Sequence, residues 1–167
     1  MGIAEAIMAI SVITIGLLRV SSLVIQNTKV RGVNRNQLIA SMLAQEGLEL
    51  TRNLRDKNWL NRIADPSLDW DDWITDGSVP NTFTVDYESD TTVAHQPDHS
   101  VSSINDNGTR LYVNGNGFYT HNSAGGTLTK FRRLISAVDN GDHLLVSATV
   151  SWASGTYVAE TYLYDWR

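Results

Sequence analysis

The sequence predicts an α+β chain. A long N-terminal α-helix has an apolar half that protrudes and an amphipathic half that packs on a C-terminal antiparallel β-sheet. Three observations carry this expectation. No proline precedes Pro66, while Pro66, Pro80 and Pro97 all follow it, so only the first third of the chain can run as one uninterrupted helix. Charge divides at the same place: residues 1–57 hold seven Lys/Arg and four Asp/Glu, residues 58–167 six and fourteen, which splits the formal −5 into +3 and −8. Hydropathy also changes there from helical spacing to the alternation of strands.

Length and composition bound the remaining possibilities. The 167 residues suit one domain with an appendage, and 42% hydrophobic content with five Trp and six Tyr can fill a core. The acidic balance argues against a general or sequence-specific nucleic-acid binder. Zero cysteines exclude a disulfide framework, a zinc-finger site and a cysteine nucleophile.

Residues 6–18 are apolar apart from Ser11 and Thr14, and the apolar character continues past Arg19 to Ile25. Ala6 to Ile25 forms about 30 Å of helix, enough for the hydrocarbon core of a bilayer. Glu5 falls at the start of this helix, where unpaired N–H groups and the positive dipole end favour a carboxylate. Arg19 costs roughly 2.5–3.5 kcal/mol in lipid unless it snorkels or pairs. The opening MGIAEA lacks the basic residues of a cleaved signal peptide.

From residue 26 to 57 the pattern is amphipathic. Leu38, Ile39, Met42, Leu43, Leu50 and Leu54 recur at three- and four-residue steps with Gly47 in their row, which predicts a core face. As one rod, residues 1–57 would be about 85 Å long, more than the rest of the chain can cover. The first part, 1–25, is therefore expected in a membrane or among other copies.

Residues 58–81 leave the helix through Asn58-Trp59 and read as a loop. There Trp59, Trp70 and Trp73 lie among Asp65, Asp69, Asp71, Asp72 and Asp76. Strands are expected over 82–87, 110–113, 117–119, 127–138, 143–152 and 156–166, with Asn114-Gly115-Asn116, Asp139-Asn140-Gly141-Asp142 and Ala153-Ser154-Gly155 as turns. Leu144, Val146, Ala148, Val150 and Trp152 define one apolar face.

Chemistry-bearing patterns are few. His95 and His99 have a helical metal-ligand spacing, but Pro97 between them disfavours a helix and no third ligand is evident. The clusters Asp65/Asp69/Asp71/Asp72, Asn105-Asp106-Asn107-Gly108 and Asp139–Asp142 are oxygen-rich enough for calcium, yet none has EF-hand spacing, and turn chemistry accounts for them equally well. No nucleophile elbow or phosphate loop is present, and no metal, cofactor or catalytic role is expected. Asn107-Gly108-Thr109 matches a glycosylation acceptor.

Met1-Gly2-Ile3-Ala4-Glu5 followed by AIMAISVITIGLL resembles the mature N-terminus of type IV pilins and pseudopilins. The stretch Ala44-Gln45-Glu46-Gly47 with Arg52-Asn53-Leu54-Arg55-Asp56-Lys57-Asn58-Trp59 is similar to a subset of pilin-like sequences. Together these cover about residues 1–59. The resemblance implies a processed, N-methylated Met1 and a membrane-inserted monomer that passes through a prepilin peptidase and a pilus assembly machinery. It implies a homopolymer at the cell surface whose assembly residues are Met1, Gly2, Glu5, Ala6 and Arg19. Adhesion, motility and DNA uptake share that subunit design. A minor pilin or pseudopilin of a secretion or DNA-uptake machine, and a membrane-anchored extracellular binding module, are the alternatives. Ser22 stands where the family often has proline, leaving Gly16 and Gly32 as the weak points of the helix.

Overall fold

In the computed structural model, residues 2–75, 81–89 and 96–165 are described. Helix α1 runs Ile3–Asn61 without interruption, through Gly16, Ser22 and Gly32. It is followed by β1 (Asn81–Phe83), a 3₁₀ turn (Asn107–Thr109), β2 (Arg110–Val113), β3 (Tyr119–Thr120), β4 (Thr127–Asp139), β5 (His143–Trp152) and β6 (Gly155–Tyr164). The six strands form one sheet in the order β3-β2-β4-β5-β6, with β1 also on β4. Every pairing is antiparallel. The thirteen-residue β4 is long enough to hold β2 and β1 in succession along one edge and β5 along the other.

The chain separates into two compact units, residues 1–38 and 39–167. Unit 1 is helix alone, and every residue from 2 to 35 is exposed. Unit 2 is the α+β domain. Its core joins Ala40, Leu43, Ala44, Leu48 and Leu54 of α1 to Phe83, Ile135, Leu144, Val146, Ala148 and Val150 of the sheet. Burying each of these leucines contributes about 1.5–3 kcal/mol.

The helix ends later than the sequence predicts. No breaker intervenes between Asn58 and Pro66, so the ladder runs on to Asn61 and closes in turns, with Arg62 N–H donating to Asn58 O (2.9 Å) and Asp65 N–H to Asn61 O (2.9 Å). The core face is also rotated from the expected one. Leu38 and Met42 are each 62% exposed, whereas Ala40, Ala44, Gly47, Thr51, Arg55 and Asn58 are buried with Leu43, Leu48 and Leu54. Small residues win those positions because helix and sheet approach closely. A Cβ on Gly47 would lie 2.8 Å from Ile135 Cδ1 and 3.1 Å from Arg133 Cδ.

The alternation in β5 is as expected, with Leu144, Val146, Ala148 and Val150 fully buried. The strand expected over 82–87 is only Asn81–Phe83, continued by an isolated bridge between Thr84 and Asp98. The strand expected over 117–119 is displaced to Tyr119–Thr120, because Asn114 Oδ1 accepts from the N–H groups of Asn116 and Phe118 and keeps those residues in the turn. Strand β4 extends to Asp139 and β6 starts at Gly155; Trp166, Asp76 and Pro80 lie outside the described residues.

Candidate functional site

Unit 1 presents the feature that most demands a partner. Over an 18-residue window its mean hydropathy is 2.1 with nothing buried, so it is long and apolar enough to cross a membrane, as an anchor or a signal sequence does. Ile7, Ile10, Val12, Ile13, Leu17, Leu18, Leu23 and Ile25 are 58–71% exposed and point in all directions around the axis. Four of its five hydroxyls are turned inward on the backbone. Ser11 donates to Ile7 O (2.8 Å), Thr14 to Ile10 O (2.7 Å), Ser21 to Leu17 O (2.9 Å) and Thr28 to Val24 O (2.9 Å). Each of these groups is satisfied without water.

At the helix start Gly2 N–H donates to Glu5 Oε2 (3.1 Å), and Glu5 and Ala6 N–H both donate to Gly2 O (3.0 and 3.3 Å). Three of the residues singled out by sequence, Gly2, Glu5 and Ala6, are thus gathered into one capped turn, where the carboxylate meets an orphan donor and the helix dipole. Met1 lies outside the described residues. Arg19 is not brought to them. It is fourteen residues beyond Glu5 on the same helix, about 21 Å along the axis. The next carboxylate in sequence after it is Glu46.

The acidic clusters of unit 2 are engaged in turns. Asp65 Oδ1 accepts from Ser67 N–H (3.1 Å) and Oγ (2.6 Å), and these bonds hold its carboxyl below the ordinary carboxylate range. Asp69 Oδ1 accepts from Trp70 N–H, Asp72 Oδ2 from Asp69 N–H, and Asp71 Oδ2 from Thr75 Oγ1. Burial outweighs the Thr75 bond and raises Asp71. Asp106 Oδ2 accepts from Ser102 and Ser103 N–H, and Asp139 Oδ1 from Gly141 N–H, with Gly141 at φ +88°. No group of three or more potential metal ligands occurs among the described residues. His95 lies outside them, and His99 Nε2 donates to Trp73 O (3.0 Å). In the Asn107-Gly108-Thr109 pattern Asn107 is exposed, while Thr109 is buried and donates to Ile104 O and Asp106 O.

The sequence reading missed a polar cluster inside unit 2. Arg133 is fully buried, its guanidinium donating to Leu43 O (3.1 Å) and Val85 O (2.6 Å) and lying 3.6 Å from Glu46 Oε2. Burial lowers its pKa, opposed by the charges of Glu46 and Asp86. Asp86 Oδ2 accepts from Thr120 Oγ1 (2.7 Å) and His121 N–H (3.2 Å). Burial raises the Asp86 pKa, but these bonds and one from Glu88 N–H outweigh it and hold the carboxyl low. His121 Nδ1 donates to Gly108 O (2.9 Å), and its Nε2 is buried without a hydrogen-bond partner among the described residues. Burial, and then the Arg133 charge, push the imidazole down to about 4. A signal for Arg133 was present: it shares the odd-numbered face of β4 with Phe131, Ile135 and Ala137, all of which are buried. The cluster ties Glu46 and Gly47 of α1 to the sheet, which gives the Ala44-Gln45-Glu46-Gly47 stretch a structural role.

Compared with protein-family models, curated proteins and solved structures, the chain matches none.

Proposed function

We propose that the chain is a pilin: a structural subunit that polymerises through its N-terminal helix into a type IV pilus-like extracellular filament and has no catalytic activity of its own. One observation carries this reading. The helix is exposed on every side over residues 2–35, and its stretch from Ala6 to Ile25 is apolar but for Arg19 and a few hydroxyls, four of the helix's hydroxyls being bonded to their own backbone. Such a surface is stable only in lipid or against other apolar helices. The resemblance of residues 1–18 and 44–59 to pilins and pseudopilins supports it. In this reading the monomer waits in the cytoplasmic membrane with residues 1–25 in lipid and 58–167 outside. Assembly then transfers the helix from lipid to a bundle of copies, apolar to apolar, where packing and small residues decide the fit. Glu5, costly in such a core if unpaired, finds its partner on a neighbouring copy.

Glu5→Ala is expected to leave a membrane-inserted monomer that assembles poorly. Its measure is the filament fraction sheared from producing cells, and normal yield and length would overturn the register role of Glu5. Intact mass of the mature chain should exceed that of the sequence starting at Met1 by about 14 Da, one methyl group. A detergent-stable monomer that never forms fibres would leave residues 1–25 as the anchor of an extracellular binding module instead.

A further inference from the structure

Between Gly2 and Thr28 the ionisable side chains are Glu5 and Arg19, and they are opposite in sign. The helix carrying them is continuous, and fourteen residues fall about 40° short of four full turns, so both lie on one side of it. That side is a seam with alternating steps of three and four: Gly2, Glu5, Ala9, Val12, Gly16, Arg19, Leu23 and Gln26. Its small members Gly2, Ala9 and Gly16 recur every seventh residue, and among the described residues nothing beyond the adjoining residues and the helix's own backbone lies within 4 Å of where a Cβ would stand on Gly2 or Gly16. Within one chain the two charges are about 21 Å apart along the axis, beyond the reach of their side chains.

Resting on the filament reading, we infer that Glu5 of one copy pairs with Arg19 of a parallel copy displaced by two heptads, and that this contact sets an axial step of the assembly. The occupant of the seam is a second copy of this chain, selected by charge complementarity. Unshifted parallel copies would oppose Glu5 to Glu5 and Arg19 to Arg19 in a medium of low dielectric, which repels. A shift of one heptad would set Val12 against each charge in turn and leave both unpaired. A shift of two heptads sets Arg19 beside Glu5, Gly16 beside Gly2, Leu23 beside Ala9 and Gln26 beside Val12. Each bulky residue then meets a smaller one or a residue of opposite charge, and the backbones can close. An antiparallel pair would also match the charges, but copies of one chain enter a membrane in one orientation. The pair cannot form between monomers at the same depth in a bilayer. One must first be displaced along its axis by about 21 Å, and repeating that head-to-tail contact generates an open fibre.

The chain has no cysteine, so disulfide mapping is free of background. In filaments sheared from producing cells and then oxidised, the double variant Ala9→Cys, Leu23→Cys should give a ladder of cross-linked oligomers, and each single variant should give none. Filaments without a ladder, or dimers from Ala9→Cys alone, overturn the two-heptad step and leave the filament reading standing. Absence of filaments from the unsubstituted chain overturns both. Independently of cysteine, Arg19→Gln should lower filament yield roughly tenfold or more while Arg19→Lys retains it. Equal yields from the two would also overturn the pair.

Discussion

Two arginines show how differently the two units treat a charge. Arg133 in unit 2 is wholly buried, with two carbonyls and Glu46 arranged around it. Arg19 in unit 1 stands on an exposed apolar helix, far along the axis from Glu5. The same contrast runs through the glycines. Gly47 is needed where helix and sheet touch, whereas Gly16 and Gly32 have open space around them. Unit 2 therefore surrounds its buried arginine with partners from its own chain, whereas the apolar side chains and Arg19 of unit 1 are left exposed. A residue's energetic role follows from which of these environments holds it, even along one unbroken helix.

The largest effect should come from breaking that contrast at the arginines. Arg133→Ala leaves Leu43 O and Val85 O buried without their donor, and loss of one partner from a buried charged cluster costs about 3–5 kcal/mol. Arg19→Gln should leave melting of unit 2 unchanged. All five tryptophans lie after residue 58, so their fluorescence during thermal unfolding in detergent reads unit 2 alone. Equal melting shifts for the two variants would erase the distinction.

A smaller effect concerns pH. The His121 imidazole titrates near 4 in the fold against 6.5 ordinarily. The unfolded chain therefore takes up that proton first as pH falls, so the contribution is constant above about 6.5 and is lost progressively down to about 4. Asp86 and Asp106, held low by hydrogen bonds, add their losses only below the ordinary carboxylate value of 3.8. Melting of unit 2 should accordingly fall between pH 6.5 and 4, and His121→Gln should flatten that slope. An unchanged slope in the variant would remove His121 as its source.

The glycines give the smallest and sharpest comparison. Gly32→Ala meets nothing within 4 Å and should stabilise the helix by about 1 kcal/mol through propensity alone. Gly47→Ala gains the same propensity but must displace Ile135 Cδ1 and Arg133 Cδ, an overpacking cost of about 1–3 kcal/mol. Helicity of unit 1 and melting of unit 2 should therefore move in opposite senses. A stabilised Gly47→Ala domain would show that the helix–sheet contact yields easily.

Periodicity is local, and what depends on it was legible in the sequence: the helix without proline, the strand alternation that buries Leu144 to Val150, the turn glycines and the apolar run after Glu5. A core face chosen by hydrophobicity alone was not reliable. The distance between α1 and β4 admits Ala40, Ala44 and Gly47 and turns Leu38 and Met42 outward. Arg133 was half legible, since alternation places it on the inner face of β4. Only the tertiary structure decided that it stays there, because its partners Leu43, Glu46 and Val85 are brought in from 90, 87 and 48 residues away in sequence. The sequence by itself determined which stretches are helix, which are strand and that residues 6–25 form a helix long and apolar enough to cross a membrane. Folding decided which face of α1 is core and which charge is solved within the chain, since both depend on distances that arise only when remote segments meet.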